Sequence, residues 1–431
     1  MQCRTKHQLT FSISHKKQPP APLSGSRRLN NKSNMNEKAK VKIGIYAMAI
    51  LMMGIVGVSG SLTVIGAQFP SASQSAIQSI ISIPCLAVLP TTILSGRLMS
   101  SMPKKTLGII GMLIFLIGGV APFAMTSLPV ILVFRALFGI GVGIVQAVTS
   151  ALVAENFFGP EREAVQGTMT SAQMLGCAVM VFAGGWLGDV AWNASFLVHG
   201  IAILSLIIAF VCLPLAKAPK KDKGGTFAFA EDPDGGNDTK TRLNKSSWSW
   251  AGITFALFIG VQVYTVYISY VLSEKSIGGA AESGATVAVA CVGGFIMGIL
   301  YGKLAGKAGH LTFAVGLFIM ALSYLILGLA GSMAMIYVGG FVYGIAMAIC
   351  LPAAFVNTAN SVDAFSSAMA LSITMCAQNL GQFVCPYVMN FITGMIGSAH
   401  PSTLTYTLAA ILLAGMGVPA VIWGIKKGKT T

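Results

Sequence analysis

The stretch Pro129–Glu155, PVILVFRALFGIGVGIVQAVTSALVAE, is apolar for the length of a membrane crossing, broken only by one full charge, Arg135, and by Gly139, Gly141 and Gly143. An arginine near the middle of hydrocarbon costs roughly 2.5–3.5 kcal/mol on insertion scales, so Arg135 is expected to face protein or a water-filled cavity. The three glycines let another helix come close. A second reading stays open. Ser127 and Pro129 mark a helix start, and Arg135 then lies about six residues in, roughly 9 Å at 1.5 Å per residue, within reach of a snorkelling side chain.

The rest of the chain shares this character. Of its 431 residues 55% are hydrophobic and only 10% charged, with a mean hydropathy of +0.76, which excludes an ordinary soluble domain. Apolar stretches of about 20 residues recur, the length needed to cross hydrocarbon as helix. They place spans at 43–66, 75–98, 106–125, 129–154, 164–188 and 193–215, then at 248–272, 280–302, 310–329, 333–356, 364–393 and 402–425. The fold class is an all-α polytopic membrane protein with twelve transmembrane helices in two six-helix bundles. Period-two alternation is absent, which argues against a transmembrane barrel.

A net charge of +15 in a soluble protein would suggest nucleic acid, but the basic residues here sit in tails and connections, as membrane orientation requires. Residues 1–42 hold ten Lys or Arg and one acid, Glu37. This tail is expected to be disordered, with Met35 as the favoured true start over an organelle transit peptide. Residues 216–247 hold seven Lys or Arg and five acids in a turn-rich linker, dividing a 43–215 bundle from a 248–425 bundle, and 426–431 form a tail. With both termini cytoplasmic, 26 of the 28 Lys and Arg lie inside, Arg135 is embedded and only Lys275 is outside. The eight cysteines form no Cys-x-x-Cys pair and read as small packing residues, with no disulfide frame or metal site.

Arg135-x-x-x-Gly139-x-Gly141-x-Gly143 in a fourth span resembles the signature of that span in the major facilitator superfamily of secondary transporters. Gly96-Arg97-Leu98-Met99-Ser100-Ser101-Met102-Pro103-Lys104-Lys105 is similar to that family's loop Gly-x-x-x-Asp-Arg-x-Gly-Arg-Lys. Gly96, Lys104 and Lys105 match, while Ser100 replaces the acid and Pro103 the second glycine. In the family this loop latches the halves on the cytoplasmic side, so a latch formed by Gly96, Arg97, Lys104 and Lys105 would be weaker or use other partners. An ordinary positive-inside loop would satisfy the same residues. The fifth span keeps Gly176, Gly184 and Gly185 of the drug-exporter antiport signature but lacks its central Gly-Pro, which counts against a proton-driven drug antiporter.

The second half repeats the first. Gly96-Arg97-Leu98 echoes Gly302-Lys303-Leu304, Phe138-Gly139-Ile140 echoes Tyr343-Gly344-Ile345, and Ala172-Gln173-Met174-Leu175-Gly176 echoes Ala377-Gln378-Asn379-Leu380-Gly381, at offsets of 206, 205 and 205. Three offsets agreeing to one residue point to duplication, as parallel half-repeats of such transporters require. At this offset Arg135 maps to Gly340, so the second half lacks the charge.

A transporter of this kind binds its solute near the midplane between the halves, through polar groups on otherwise apolar spans. The substrate-binding candidates are Arg135, Gln146 and Gln173 in the first half and Gln262, Tyr264, Tyr267, Asn357, Gln378, Asn379 and Gln382 in the second, with Gln78, Tyr343 and Asn390 beside them. Gln378 and Gln382, four apart, share one helix face that suits a cavity wall and an interhelical seam equally. Tyr264 and Tyr267 are placed on the cavity face and Tyr270 in the interfacial belt. No Asp or Glu lies deep in a span, so proton coupling would rest on Asp189 or His199, although Asp189 fits a cap of the next helix better. An unpaired Arg135 in the cavity would favour an anionic or carboxylate-bearing solute.

The expected function is secondary transport of a small organic solute across the cell membrane by alternating access, as a monomer, with no cofactor, metal or nucleic acid and with proton involvement open. Drug or metabolite efflux by proton antiport is the alternative, and a nontransporting membrane sensor of the same fold is the alternative of another class. An ATP-driven pump would need a phosphate-binding Gly-x-x-x-x-Gly-Lys-Ser/Thr loop, which the chain lacks. Gly57-Val58-Ser59-Gly60 with His199 has the look of a serine protease pair, but such a pattern arises by chance among 49 glycines.

Overall fold

The computed structural model describes residues 31–99, 101–157, 159–213, 245–362, 367–398 and 400–428. Most of the basic tail, nearly all of the linker and residues 429–431 lie outside the described residues. The chain divides into units Met1–Ala39 and Lys40–Thr431; of the first, only the start of one helix is described, and both helical bundles belong to the second.

The first span is not one helix. Helix α1 (Asn31–Leu51) gives way to tight turns at Gly54–Val56 and Ser59–Ser61 before α2 (Leu62–Gln68). Gly54, Gly57 and Gly60 at every third place, with Ser59 and Ser61 between, make this segment a poor helix former. The helix reaches back to Asn31, so residues 31–42, expected on composition to belong to a disordered tail, are helical. The segment Glu37–Lys42 is built of good helix formers, Lys and Ala among them.

Helices α3 (Gln74–Leu98), α4 (Lys104–Val120), α5 (Leu128–Asn156) and α6 (Gly159–Val190) follow, and the sixth span is a turn, Ala194–Gly200, continued by α7 (Ile201–Cys212). The second half holds α8 (Lys245–Glu274), α9 (Ala280–Ala308), α10 (Thr312–Leu329), α11 (Met333–Ala359), α12 (Ser367–Ile396) and α13 (Pro401–Gly428). Among the described residues, ten segments are long and apolar enough to cross a membrane. One of them, Ala280–Leu329, contains both α9 and α10, which part at Gly309, held at φ +51° in the left-handed region that favours glycine. With helix α12, 30 residues long, the described residues hold about twelve spans.

Helix ends are closed by polar groups, as buried or lipid-exposed backbone demands. Ser73 accepts from Ala76 N–H at the start of α3, and Glu282 accepts from Gly279 N–H at the start of α9. Glu274 accepts from Ser402 and Thr403 N–H at the start of α13. Lys275 donates to the Gly328 and Ala330 carbonyls at the end of α10, and desolvation there draws its ammonium pKa down from the ordinary lysine value, with Glu274 opposing. One apolar core, around Met48, Met112, Phe115 and Val148, lies wholly within the first bundle. A larger one runs from Val58 and Ile81 across to Tyr264, Leu317 and Leu413. The upper end of the molecule is here the end holding the α2–α3 connection, and the lower end the one holding the α3–α4 connection.

Candidate functional site

Arg135 does not snorkel. Its side chain is completely buried, and Nε donates to the Ile80 carbonyl at 2.7 Å while Nη2 donates to the Ile55 carbonyl at 3.1 Å. Both acceptors have a cause in the sequence. Ile80 stands four residues before Pro84, which lies inside α3 and has no N–H to close that turn. Ile55 belongs to the broken middle of the first span. The guanidinium also stacks on Phe138, 4.4 Å from its ring centroid.

His199 completes the clasp. Its Nδ1 lies 2.9 Å from the Phe196 carbonyl, its Nε2 3.3 Å from Arg135 Nη1 and 3.1 Å from the Gly54 carbonyl. Nδ1 faces a carbonyl and Arg135 can only donate; with the ring proton on Nδ1, donating to Phe196, Nε2 accepts from Arg135 and gives no proton to the Gly54 carbonyl. Ser59 Oγ has no hydrogen-bond partner, so the nucleophile–base contact of a serine protease is not made between Ser59 and His199. The glycines that follow Arg135 pack as expected: a Cβ at Gly139 would collide with the Pro84 carbonyl oxygen, and one at Gly141 with the Phe115 backbone nitrogen.

The second half solves the same problem with tyrosines. Tyr324 Oη donates to the Gly260 carbonyl and accepts from Tyr264 N–H at 3.1 Å, so it is inserted into one i to i+4 turn of α8. Tyr343 Oη donates to the neighbouring Val261 carbonyl at 2.9 Å. Ile55 and Gly260 are 205 residues apart, the offset of the repeat, so both bundles carry a mended carbonyl at the same place in their first span. The missing arginine of the second half is thereby explained. A Cβ on Gly340 would stand 2.8 Å from Tyr264 Oη, which donates to the Thr286 carbonyl and fills the space the longer side chain would need.

The candidates that meet across the two bundles lie elsewhere. Asn390 on α12 donates to Gln78 Oε1 at 2.6 Å and Ser75 Oγ at 2.8 Å on α3, and accepts from Tyr267 at 2.7 Å. One turn on, Ser79 and Tyr387 hydroxyls are 2.8 Å apart, and Cys85 donates to Gln382 Oε1 at 3.1 Å. Asp189, at the end of α6, caps α9 of the other bundle by accepting from Ala280 and Ala281 N–H at 3.1 and 3.0 Å. It is a cap, though of a helix across the seam and not of the next one. Beneath it a Cβ at Gly185 would collide with the Ala280 carbonyl oxygen, and one at Gly284 would lie 2.5 Å from that of Val181.

These contacts run from the upper end to the middle of the molecule. At the lower end a Cβ at Gly96, Gly167, Gly298, Gly302 or Gly306 would meet nothing within 4 Å. Residues 166–168 of α6 and 298–300 of α9 are exposed in unbroken succession. Three consecutive helical residues sweep about 200°, so exposure there includes the side turned toward the other bundle. The two latch lysines bind within their own half: Lys104 pairs with Glu155, and Lys105 lies over the Phe210 ring at 5.1 Å. Gly96 and Arg97 are exposed.

Several uncharged polar groups remain unsatisfied along the seam helices. Gln78 Nε2, Ser82 Oγ, Ser59 Oγ and Gln262 Nε2 are buried without a partner. Gln146, Asn357 and Gln378 are half-buried. Gln173 reaches only the Met52 sulfur, at 3.2 Å, and Asn379 turns back to the Met375 carbonyl. Tyr270, expected in the interfacial belt, has its hydroxyl buried without a partner and faces Gly66 of the first span. Sequence reasoning misses Ser75, Ser79, Ser82 and Cys85, whose three- and four-residue spacing is the available signal of one helix face.

Two parallel-repeated helical bundles in a membrane, meeting along a polar seam, define a polytopic transporter fold. The sequence profile of the Major Facilitator Superfamily matches residues 43–386, and the chain belongs to that family of secondary transporters. No curated protein sequence matches. Among solved structures, a point mutant of the nucleoside transporter NupG is similar at 13% identity and TM-score 0.70, over 91% of this chain and 99% of its own. The peptide transporter POT in complex with sulfate is similar at 13% and 0.70, over 91% and 95%. A bacterial homologue of the human lysosomal transporter Spinster, inward-facing and unoccupied, is similar at 14% and 0.64, over 91% and 96%.

Proposed function

We propose that the protein is a monomeric, multi-pass secondary transporter of the cell membrane that moves a small polar organic solute between its bundles by alternating access. The observation that carries this reading is the asymmetry of the seam: hydrogen-bonded across the bundles at the upper end and parted at the lower. The distribution of basic residues supports a cytoplasmic lower end and cytoplasmic termini, and on that reading this is the inward-facing state. This reading keeps a 43–215 bundle and a 248–425 bundle with a cytoplasmic linker between them.

The solute is recognised by amides and hydroxyls. Gln262, Gln378, Gln382, Gln173 and Gln78 offer donors and acceptors but no charge, and an unpartnered buried amide gains most from a ligand that satisfies it. Arg135 gives no support to an anionic or carboxylate-bearing solute in this state, because it is completely buried and three of its five donors already serve Ile80, Ile55 and His199. For ion coupling, Asp189 is the better placed of the two candidates, because its carboxylate caps α9 across the seam at the upper seal. His199 is enclosed between Arg135 and backbone carbonyls.

Metabolite profiling of cells with and without the gene, followed by flux into liposomes under an imposed pH gradient, tests this reading. Uptake or release of a polar, uncharged metabolite whose rate follows the sign of the gradient is the expected result. Absence of flux for every metabolite whose level changes would favour a nontransporting sensor.

A further inference from the structure

Two thiols face each other across the seam below the upper seal. Cys177 on α6 and Cys291 on α9 are both buried, and their side chains interact directly. The packing of the two helices places them opposite one another independently. Asp189 meets Ala280 and Ala281, Gly185 meets Ala280 and Gly284, and Val181 meets Gly284. The two helices run antiparallel, so each turn back along α6 from Asp189 is matched by a turn forward along α9 from Ala280, and below Val181 and Gly284 this brings residue 177 against the turn ending at 291. A disulfide needs Cα atoms roughly 4.4–6.8 Å apart. Helices come this close where small residues let the backbones touch, and the Gly185 and Gly284 contact, 3.3 Å from a Cβ position on one to Cα of the other, sets that spacing directly above the pair.

We propose that Cys177 and Cys291 are a disulfide-forming pair which, once oxidised, staples α6 to α9 and holds the bundles in the state sealed at the upper end. The oxidant is a peroxide, small and uncharged enough to enter the seam. One thiol gives up its proton as its sulfur attacks a peroxide oxygen, the O–O bond breaks, the leaving hydroxide takes that proton, and sulfenic acid and water form. The second thiol then displaces the hydroxyl as water, making the S–S bond, so that two thiols are oxidised by two electrons and one peroxide is reduced to two waters. The remaining described cysteines lie on other helices or faces; Cys85 is engaged with Gln382, and all seven are free as thiols. The linkage depends only on the α6–α9 contact, not on what the protein carries.

The test uses the full-length protein in liposomes, treated with hydrogen peroxide, blocked with N-ethylmaleimide and digested for mass spectrometry. The expected product is a dithiothreitol-sensitive peptide joining Cys177 to Cys291, absent in Cys177→Ser and in Cys291→Ser, with slower hydrogen exchange in the first turns of α9 when the wild type is oxidised. Recovery of both cysteines as separate maleimide adducts, or linkage of either to a different cysteine, would overturn the proposal.

Discussion

Arg135 donates its Nε proton to the carbonyl oxygen of Ile80 at 2.7 Å, the oxygen in α3 that Pro84 leaves without its helical partner. The charge that looks from the sequence like a cavity feature thus serves the backbone, tying a proline-interrupted second span to a broken first one. In a bilayer, where no water reaches such carbonyls, a permanent cation with five donors is a suitable mend.

Removing it should be costly in a way that Pro84 controls. Arg135→Ala leaves buried carbonyls unpaired, at about 1–3 kcal/mol for each group, and Arg135→Lys, with one point of donation, recovers only part. Pro84→Ala gives Ile80 back its own N–H partner. In a double-mutant cycle read by thermal unfolding, Arg135→Ala should therefore cost about 1–2 kcal/mol less in the Pro84→Ala background. Equal costs in both backgrounds would show that the Ile80 contact contributes nothing.

Tyr324 mends α8 differently, and the difference is measurable. Its hydroxyl stands between Gly260 and Tyr264, two groups that can close directly on each other once it is gone. Tyr324→Phe is expected to lower stability by no more than about 1 kcal/mol, well below Arg135→Ala. A loss as large as that of the arginine would mean that the turn cannot heal.

Gly340 stands where the repeat would place a second arginine. A methyl there meets Tyr264 Oη at 2.8 Å and the Thr286 carbonyl oxygen at 3.0 Å, so Gly340→Ala should cost about 1–3 kcal/mol through overpacking. Adding Tyr264→Phe should return part of that loss, and unfolding of the two variants side by side checks it.

Asp189 is a carboxylate cap that crosses from one bundle to the other at the upper seal. Asp189→Ala removes two acceptors from the start of α9, a loss of about 0.5–2 kcal/mol, or roughly 2- to 30-fold in the ratio of sealed to parted states. Asp189→Asn, which keeps an acceptor, should do less. Hydrogen exchange at Ala280 and Ala281 reads the change; an unchanged rate in both variants would remove Asp189 from the seal.

How much of this is legible in the sequence depends on whether the cause is local. Apolar length and the 205-residue offset fix span number and bundle order because each span must satisfy lipid by itself. Pro84 announces an orphaned carbonyl at Ile80, and Gly54, Gly57 and Gly60 announce a weak helix. The group that answers them does not follow, since Arg135 reaches both only through packing of three helices. Gln78 and Asn390 are both visible as polar residues in apolar spans, yet 312 positions separate them, and nothing local pairs them. Tyr270 departs from its expected place because a tyrosine near a span end suits lipid headgroups and a neighbouring bundle equally well.

The most direct measurement is a pair of spin-label distances in lipid, in a background without native thiols. Labels at Gly96→Cys and Gly302→Cys, where side chains meet nothing within 4 Å, report on the lower end, and labels at Ser71→Cys and His400→Cys, both exposed, report on the upper. If the two bundles rock about a central path, a transported solute or gradient shortens the lower distance as it lengthens the upper. Two distances that stay fixed, or that grow together, would contradict it.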